Sequence, residues 1–194
     1  MPYCRHCRLT QAVILCCFLL LTRAVFGLEA DLTITQKIEG EHFTIFYDPA
    51  LNTAELLRSL DIKAQDKILT GKIGGEGRSG EGQLADSVDA LFLRACDILD
   101  MHVYSLKGNI KVCLDHAQVE KIYYELFNSA LPSFSSSFYV PELSTIYIAA
   151  DSFKKEVLGH EMGHAIMSNY FVVQPSVKVQ EVLAGYIEYQ LRKP

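Results

Sequence analysis

The stretch Ser144–Tyr170, which reads STIYIAADSFKKEVLGHEMGHAIMSNY, decides the fold class because it joins an apolar strand to a helix. Residues 144–150 are rich in β-branched and aromatic side chains, which is typical of a strand. Asp151 or Ser152 can then cap a helix over Phe153–Tyr170. A strand that leads directly into a helix indicates a domain in which a sheet packs against helices.

Further strands and helices are predicted upstream and downstream of this unit. The predicted strands are 38–47, 109–114 and 135–140, and the predicted helices are 53–69, 84–102, 118–127 and 178–191. The strand nearest the unit ends at a turn, Pro141–Leu143, so we expect it to form a hairpin with 144–150. Because the elements are interspersed along a chain of 194 residues, one α+β domain with a mixed sheet is expected.

A glycine-rich segment, Gly71–Gln83, separates two of the predicted helices. Within it, Gly75–Gly80 satisfies the G-x-G-x-x-G pattern of dinucleotide-binding proteins. That pattern binds a pyrophosphate only where it leaves a strand and opens a helix, whereas here a helical segment precedes it and two glutamates crowd it. We therefore predict a flexible surface loop.

The first residues have the pattern of a secretory signal peptide. Arg5 and Arg8 precede an apolar run over 12–21, and Val25–Gly27 supplies a cleavage site with a small residue. The alternative is a membrane anchor, but a spanning helix needs roughly 20 apolar residues and an arginine interrupts this run. We therefore expect residues 1–27 to be removed.

The mature domain is then expected to comprise residues 28–194, without a stable membrane anchor, and to be secreted or periplasmic. Loss of the leader removes three basic residues and no acidic one, so the formal net charge changes from −5 to −8. Such an acidic surface argues against nucleic acid as the main partner. Cys96 and Cys113 are the two cysteines left, and they either form one disulfide or stay as two buried thiols.

The helix over 153–170 carries an H-E-x-x-H motif, His160-Glu161-Met-Gly-His164. Two histidines four residues apart lie on one face of a helix, so both imidazoles can bind one zinc ion at roughly 2.0–2.1 Å. Glu161 lies beside them, where it can take a proton from water that zinc has made acidic and deliver it to a leaving amine. The motif is short enough to arise by accident, so its context decides what it means.

A catalytic zinc requires three protein ligands and one open position. The following helix offers Glu181, seventeen residues beyond His164, as the candidate third ligand. A third histidine six residues after His164 would indicate the other large group of zinc proteases, but that position is Tyr170 and the expected turn glycine is Met167.

The combination of His160-Glu-Met-Gly-His164 with Glu181-Val-Leu-Ala-Gly-Tyr-Ile-Glu188 resembles the gluzincins, in which H-E-x-x-H is joined by a glutamate within an E-x-x-A-x-Y type helix. The resemblance covers about 144–191. It implies one zinc ion per chain, held by both histidines and Glu181, with Glu161 as general base and then acid.

The same resemblance implies a minimal zincin-like domain. A twisted mixed sheet would pack on the active-site helix, and a C-terminal helix would supply the last zinc ligand. It further implies that 144–150 is the edge strand along which an extended peptide lies by strand addition.

The chain departs from the gluzincin pattern beside the zinc. Thermolysin-like members have a carboxylate four residues after the ligand glutamate, which steadies a zinc histidine, but Gly185 stands at that position here. Glu188 could steady a histidine, contact substrate or itself be the third ligand. No residue can be carried over as the donor that stabilises the oxyanion, and the candidates are Tyr139, Tyr147, Tyr170 and Tyr186.

The resulting hypothesis is a secreted zinc metallopeptidase that hydrolyses peptide bonds in a peptide or protein substrate, with an endopeptidase favoured over an aminopeptidase. The first alternative is a secreted zinc-containing binding protein whose site is vestigial. The second is a globular protein without a metal, in which His160 and His164 are ordinary helix residues.

Overall fold

The computed structural model describes residues 36–62 and 80–193. The predicted signal peptide 1–27, positions 63–69 of the first predicted helix and positions 71–79 of the glycine-rich segment lie outside these ranges. Within the described part of the chain, every helix is too short or too polar to cross a lipid bilayer.

The sheet contains five described strands in the order β1-β2-β3-β5-β4. The strands are β1 (Gln36–Glu39), β2 (Phe43–Tyr47), β3 (Gly108–Cys113), β4 (Ser137–Val140) and β5 (Thr145–Ala149). β3 pairs in parallel with β2 and with β5, while β1 and β4 are antiparallel to their neighbours. The sheet is therefore mixed, and the predicted α+β class is confirmed.

The described part of the chain contains five α-helices, and each of the five predicted helices corresponds to one of them with shifted ends. They are α1 (Thr53–Leu60), α2 (Gly80–Leu99), α3 (His116–Phe127), α4 (Lys155–Tyr170) and α5 (Val177–Arg192). α2 begins four residues earlier than predicted, so the last residues of the glycine-rich segment are helical. Glu81 lies in the first turn of α2 and accepts a hydrogen bond of 3.0 Å from the hydroxyl of Tyr47.

The first predicted helix was too long, because α1 ends at Leu60. Asp61 adopts a left-handed conformation with φ of 43°, which stops the helix. The predicted cap of α4 was also wrong. Asp151 and Ser152 lie in a short 3-10 turn and bond to each other, while Lys154 precedes the helix without a capping side chain.

The segment 38–47 was predicted as one strand, but the structure divides it into β1 and β2. The buried carboxylate of Asp89, on α2, accepts hydrogen bonds from the backbone N–H groups of Glu41 and His42 at 2.6 and 2.9 Å. A Cβ on Gly40 would lie 2.7 Å from the carbonyl oxygen of Phe43, so the tight turn requires glycine. The turn thus depends on a carboxylate 47 residues away in the sequence.

The hairpin of β4 and β5 was predicted correctly, but the edge strand was not. β5 lies between β3 and β4, so β4 forms the edge of the sheet on this side. Residues 144–150 are therefore interior, and on this side of the sheet a further strand would pair with β4.

Helices cover both faces of the sheet. Ile146 and Ile148 on β5 belong to the main core with residues of α2 and α4. Tyr147 points to the opposite face, because side chains alternate along a strand. There its ring stacks on Phe138, whose ring meets Tyr123 of α3 edge to face at 5.0 Å.

Both described cysteines are buried free thiols. Burial raises the pKa of Cys96 to about 11 and that of Cys113 to about 12. Of the two possibilities that the sequence left open, the structure supports the pair of buried thiols.

α4 and α5 pack closely because α4 presents glycine at two positions one turn apart. A Cβ on Gly163 would lie 2.7 Å from Cδ1 of Ile187 and 3.3 Å from Cα of Ala184. A Cβ on Gly159 would collide with the side chain of Leu191. Gly159 and Gly163 each precede a histidine of the motif, so α5 can lie directly against α4 beside both histidines.

Gly163→Ala should force α5 outward and destabilise the protein by about 1–3 kcal/mol, as overpacking of a tight contact does. Gly185→Ala is the matched control, because a Cβ there meets nothing within 4 Å. Alanine is the better helix former, so this second change should stabilise by up to about 1 kcal/mol. Urea unfolding midpoints measure both, and equal effects of the two substitutions would contradict the packing role of Gly163.

Candidate metal centre

His160 and His164 lie one turn apart on α4, and their Nε2 atoms face each other at 3.3 Å. Both side chains are largely buried but reach a cavity. Burial lowers the pKa of His164, and the neighbouring His160 lowers it further. His164 is therefore held as the neutral imidazole, which is the form that binds a metal.

Glu181 approaches both histidines from α5, and its carboxylate faces both of their Nε2 atoms. Oε1 lies 3.5 Å from Nε2 of His164, and Oε2 lies 3.6 Å from Nε2 of His160. Donor atoms around one tetrahedral zinc ion lie roughly 3.3 Å apart when each is roughly 2.0–2.1 Å from the metal. The three predicted ligands are thus brought together, and they form a group that could hold a metal ion.

Glu188 lies behind His160 rather than among the candidate ligands. Its Oε2 is 3.5 Å from Nδ1 of His160, and its Oε1 pairs with Arg192. Because Nε2 faces Glu181 while Nδ1 faces Glu188, the ring is flanked by a carboxylate on each side. Of the three roles considered for Glu188, this placement supports orientation of a metal-binding histidine. Glu188 lies one turn beyond Gly185 on the same helix.

Glu161 is buried, lines the same cavity as the three candidate ligands and reaches the edge strand. Its Oε1 accepts a hydrogen bond of 2.7 Å from the hydroxyl of Ser137, on β4. Burial raises the pKa of Glu161 to about 7, the nearby charge of Glu181 acts in the same direction, and the Ser137 hydrogen bond opposes both. A carboxyl group with a pKa near neutrality can both accept and donate a proton at physiological pH.

Ser137 was not predicted as a site residue. It lies 24 residues before Glu161 in a strand without a motif. The predicted hairpin placed its strand near the site, but no local pattern distinguishes this serine from its neighbours.

The candidate centre opens into a cavity of about 690 Å³. Of the four tyrosines considered as oxyanion donors, Tyr139 lines this cavity. Tyr147 is buried on the far face of the sheet, while Tyr170 and Tyr186 are half exposed and outside the cavity lining. Burial raises the pKa of Tyr139, although hydrogen bonds with Ser144, Ser168 and Asn169 partly oppose this.

Comparison of the chain with protein-family models, with curated proteins and with solved structures finds no significant match.

The metal-free protein should lose stability as the pH rises because of Glu161. A folded-state pKa of about 7, above the usual value of 4.5, means that the folded protein keeps a proton that the unfolded chain releases. The retained proton adds at most about 3 kcal/mol to the free energy of unfolding. This contribution is fully present below pH 4.5 and is lost as the pH rises through 7.

Glu161→Gln is the control, because glutamine is neutral at every pH. Urea unfolding with a chelator present, at pH 5 and at pH 7.5, should show a larger decrease in stability for the wild type than for Glu161→Gln. Parallel pH profiles of the two proteins would show that burial does not raise the pKa of Glu161.

Proposed function

We propose that this chain is a zinc-dependent peptidase of the gluzincin type. The observation that carries the proposal is the meeting of His160, His164 and Glu181 at tetrahedral donor spacing, with Glu161 beside the group but outside it. Three protein ligands leave one position open, as catalytic zinc sites do. Two nitrogen donors and one carboxylate also suit zinc better than they suit calcium or magnesium, which prefer all-oxygen sites.

Each residue at the centre then has a chemical role. Zinc, when bound, supplies a Lewis acid that polarises a carbonyl and makes water acidic at neutral pH. Glu161 takes the proton from the attacking water and gives it to the leaving amine, while Ser137 holds the carboxylate in place. Glu188 lies 3.5 Å from the buried Nδ1 of His160, which has no hydrogen-bond partner, and would orient the ring when zinc is bound.

An extended peptide suits the edge of the sheet beside the centre. The carbonyl of Ser136 accepts from the N–H of Ala149 on β5, so the backbone groups of Ser137 and Tyr139 point to the open edge. A substrate that adds as a strand to β4 would pass next to Glu161. This supports an endopeptidase, which binds the middle of a chain. Export to a secreted or periplasmic location is proposed from the leader pattern of residues 1–27.

The metal part of the proposal is tested by zinc titration of the purified protein. We expect one zinc ion per chain, near-complete loss of binding in His164→Ala, and unchanged binding in His102→Ala, which alters a histidine outside the cavity. Glu188→Gln should retain the stoichiometry but weaken affinity by about 10–100-fold, as loss of an orienting carboxylate does. Equal zinc contents in the wild type and His164→Ala would show that zinc does not bind at the proposed site.

The catalytic part is tested by cleavage of a mixed peptide library, with products identified by mass spectrometry. Glu161→Gln should keep its zinc and lose at least about 10²-fold in kcat, because the proton-transfer group is gone. Ser137→Ala should give a smaller loss, since Glu161 remains but is no longer held. Stoichiometric zinc without cleavage by the wild type would favour the alternative, a zinc-containing binding protein with a vestigial site.

A further inference from the structure

One wall of the cavity is built from four aromatic side chains, which we call the aromatic wall: Tyr123, Phe127, Phe134 and Phe138. The rings of Tyr123 and Phe127 lie 4.7 Å apart, and both meet Phe138 edge to face at 5.0 and 6.1 Å. Phe138 in turn stacks on the buried Tyr147 at 4.9 Å. Three rings of the wall are therefore anchored to the sheet.

Part of this wall is strongly exposed. Phe134 is 92% exposed and Phe127 is 46% exposed, although both are large apolar residues that border a cavity. Phe134 lies in a turn in which the N–H of Ser135 bonds to the carbonyl of Pro132 at 2.9 Å. Single exposed aromatic residues are common, but two beside one cavity, of which Phe127 also contacts the packed rings of Tyr123 and Phe138, indicate a binding surface.

The wall and the candidate metal centre are linked through adjacent residues of β4. Ser137 reaches Glu161 on one face of the sheet, while Phe138 packs against α3 on the other. Side chains of an added strand would alternate between the same two faces. A peptide held on β4 with its backbone near Glu161 would thus direct neighbouring side chains toward the aromatic wall.

No lysine or arginine is among the described residues that line the cavity. Among the described residues that line it, the charged groups other than histidine are Glu161, Glu181 and Glu188. The aromatic wall itself carries no formal charge. An apolar side chain would therefore pack against it without removing a charged group from water.

We propose that the aromatic wall binds a large apolar side chain, such as leucine or phenylalanine, of a peptide lying along β4. This rests on the proposed peptidase function and specifies its substrate class. The wall therefore determines specificity, while the residues of the metal centre carry the chemistry.

Binding is measured first, with the zinc-loaded Glu161→Gln protein, so that no turnover is needed. Each fluorescein-labelled peptide carries phenylalanine, leucine, serine, aspartate or lysine at one position, and each position of the peptide is varied in turn. Binding is measured by fluorescence anisotropy. We expect phenylalanine and leucine to bind at least about tenfold more tightly than serine or aspartate at one position.

Adding Phe134→Ser and Phe127→Ser should reduce this preference to less than about threefold. Tyr104→Ser is the matched control, because Tyr104 is 60% exposed and lies outside the cavity lining. A uniform affinity across the peptides, a preference for lysine, or an apolar preference that survives the two phenylalanine substitutions would overturn the proposal.

Cleavage by the wild type then separates this inference from the proposed function. An apolar binding preference without any cleavage supports the aromatic wall and refutes the peptidase. Cleavage without an apolar preference supports the peptidase and overturns the role of the wall. Absence of both binding and cleavage overturns both.

Discussion

The close contact between α4 and α5 is the constraint on which the candidate centre depends. Gly159 and Gly163 remove the side chains that would hold the two helices apart, so Ile187 and Leu191 lie directly against the backbone of α4. Each glycine in a helix interior costs about 1 kcal/mol relative to alanine, which packing of the apolar face of α5 must offset. The result is that a carboxylate from one helix reaches imidazoles on the other.

The edge strand adds a second constraint, because it supplies the hydrogen bond of a buried carboxyl group. Glu161 is almost fully buried, and a buried carboxyl without a partner is strongly unfavourable. Ser137 provides that partner and thereby joins β4 to α4. The strand proposed to receive a peptide is therefore also the strand that donates a hydrogen bond to the proposed general base.

Most helices and strands were predictable because their patterns are local. The hairpin of β4 and β5, the strand β3 and the helices α3, α4 and α5 were predicted with small errors at their ends, since periodicity and turn residues lie within each segment. The division of 38–47 was missed because the turn depends on the distant Asp89. The edge position that the resemblance implied for 144–150 was wrong, because neighbours in a sheet are chosen by long-range contacts.

By itself, the sequence determined which residues are candidates for the metal centre. A spacing of four places His160 and His164 on one helical face whatever surrounds them, and Glu181 follows in a helix of its own. Only the tertiary structure decided that Glu188 lies behind His160, that Ser137 holds Glu161, and that β4 is the open edge beside an aromatic wall. Helical geometry relates residues a few positions apart, whereas these contacts join separate elements whose packing no local pattern encodes.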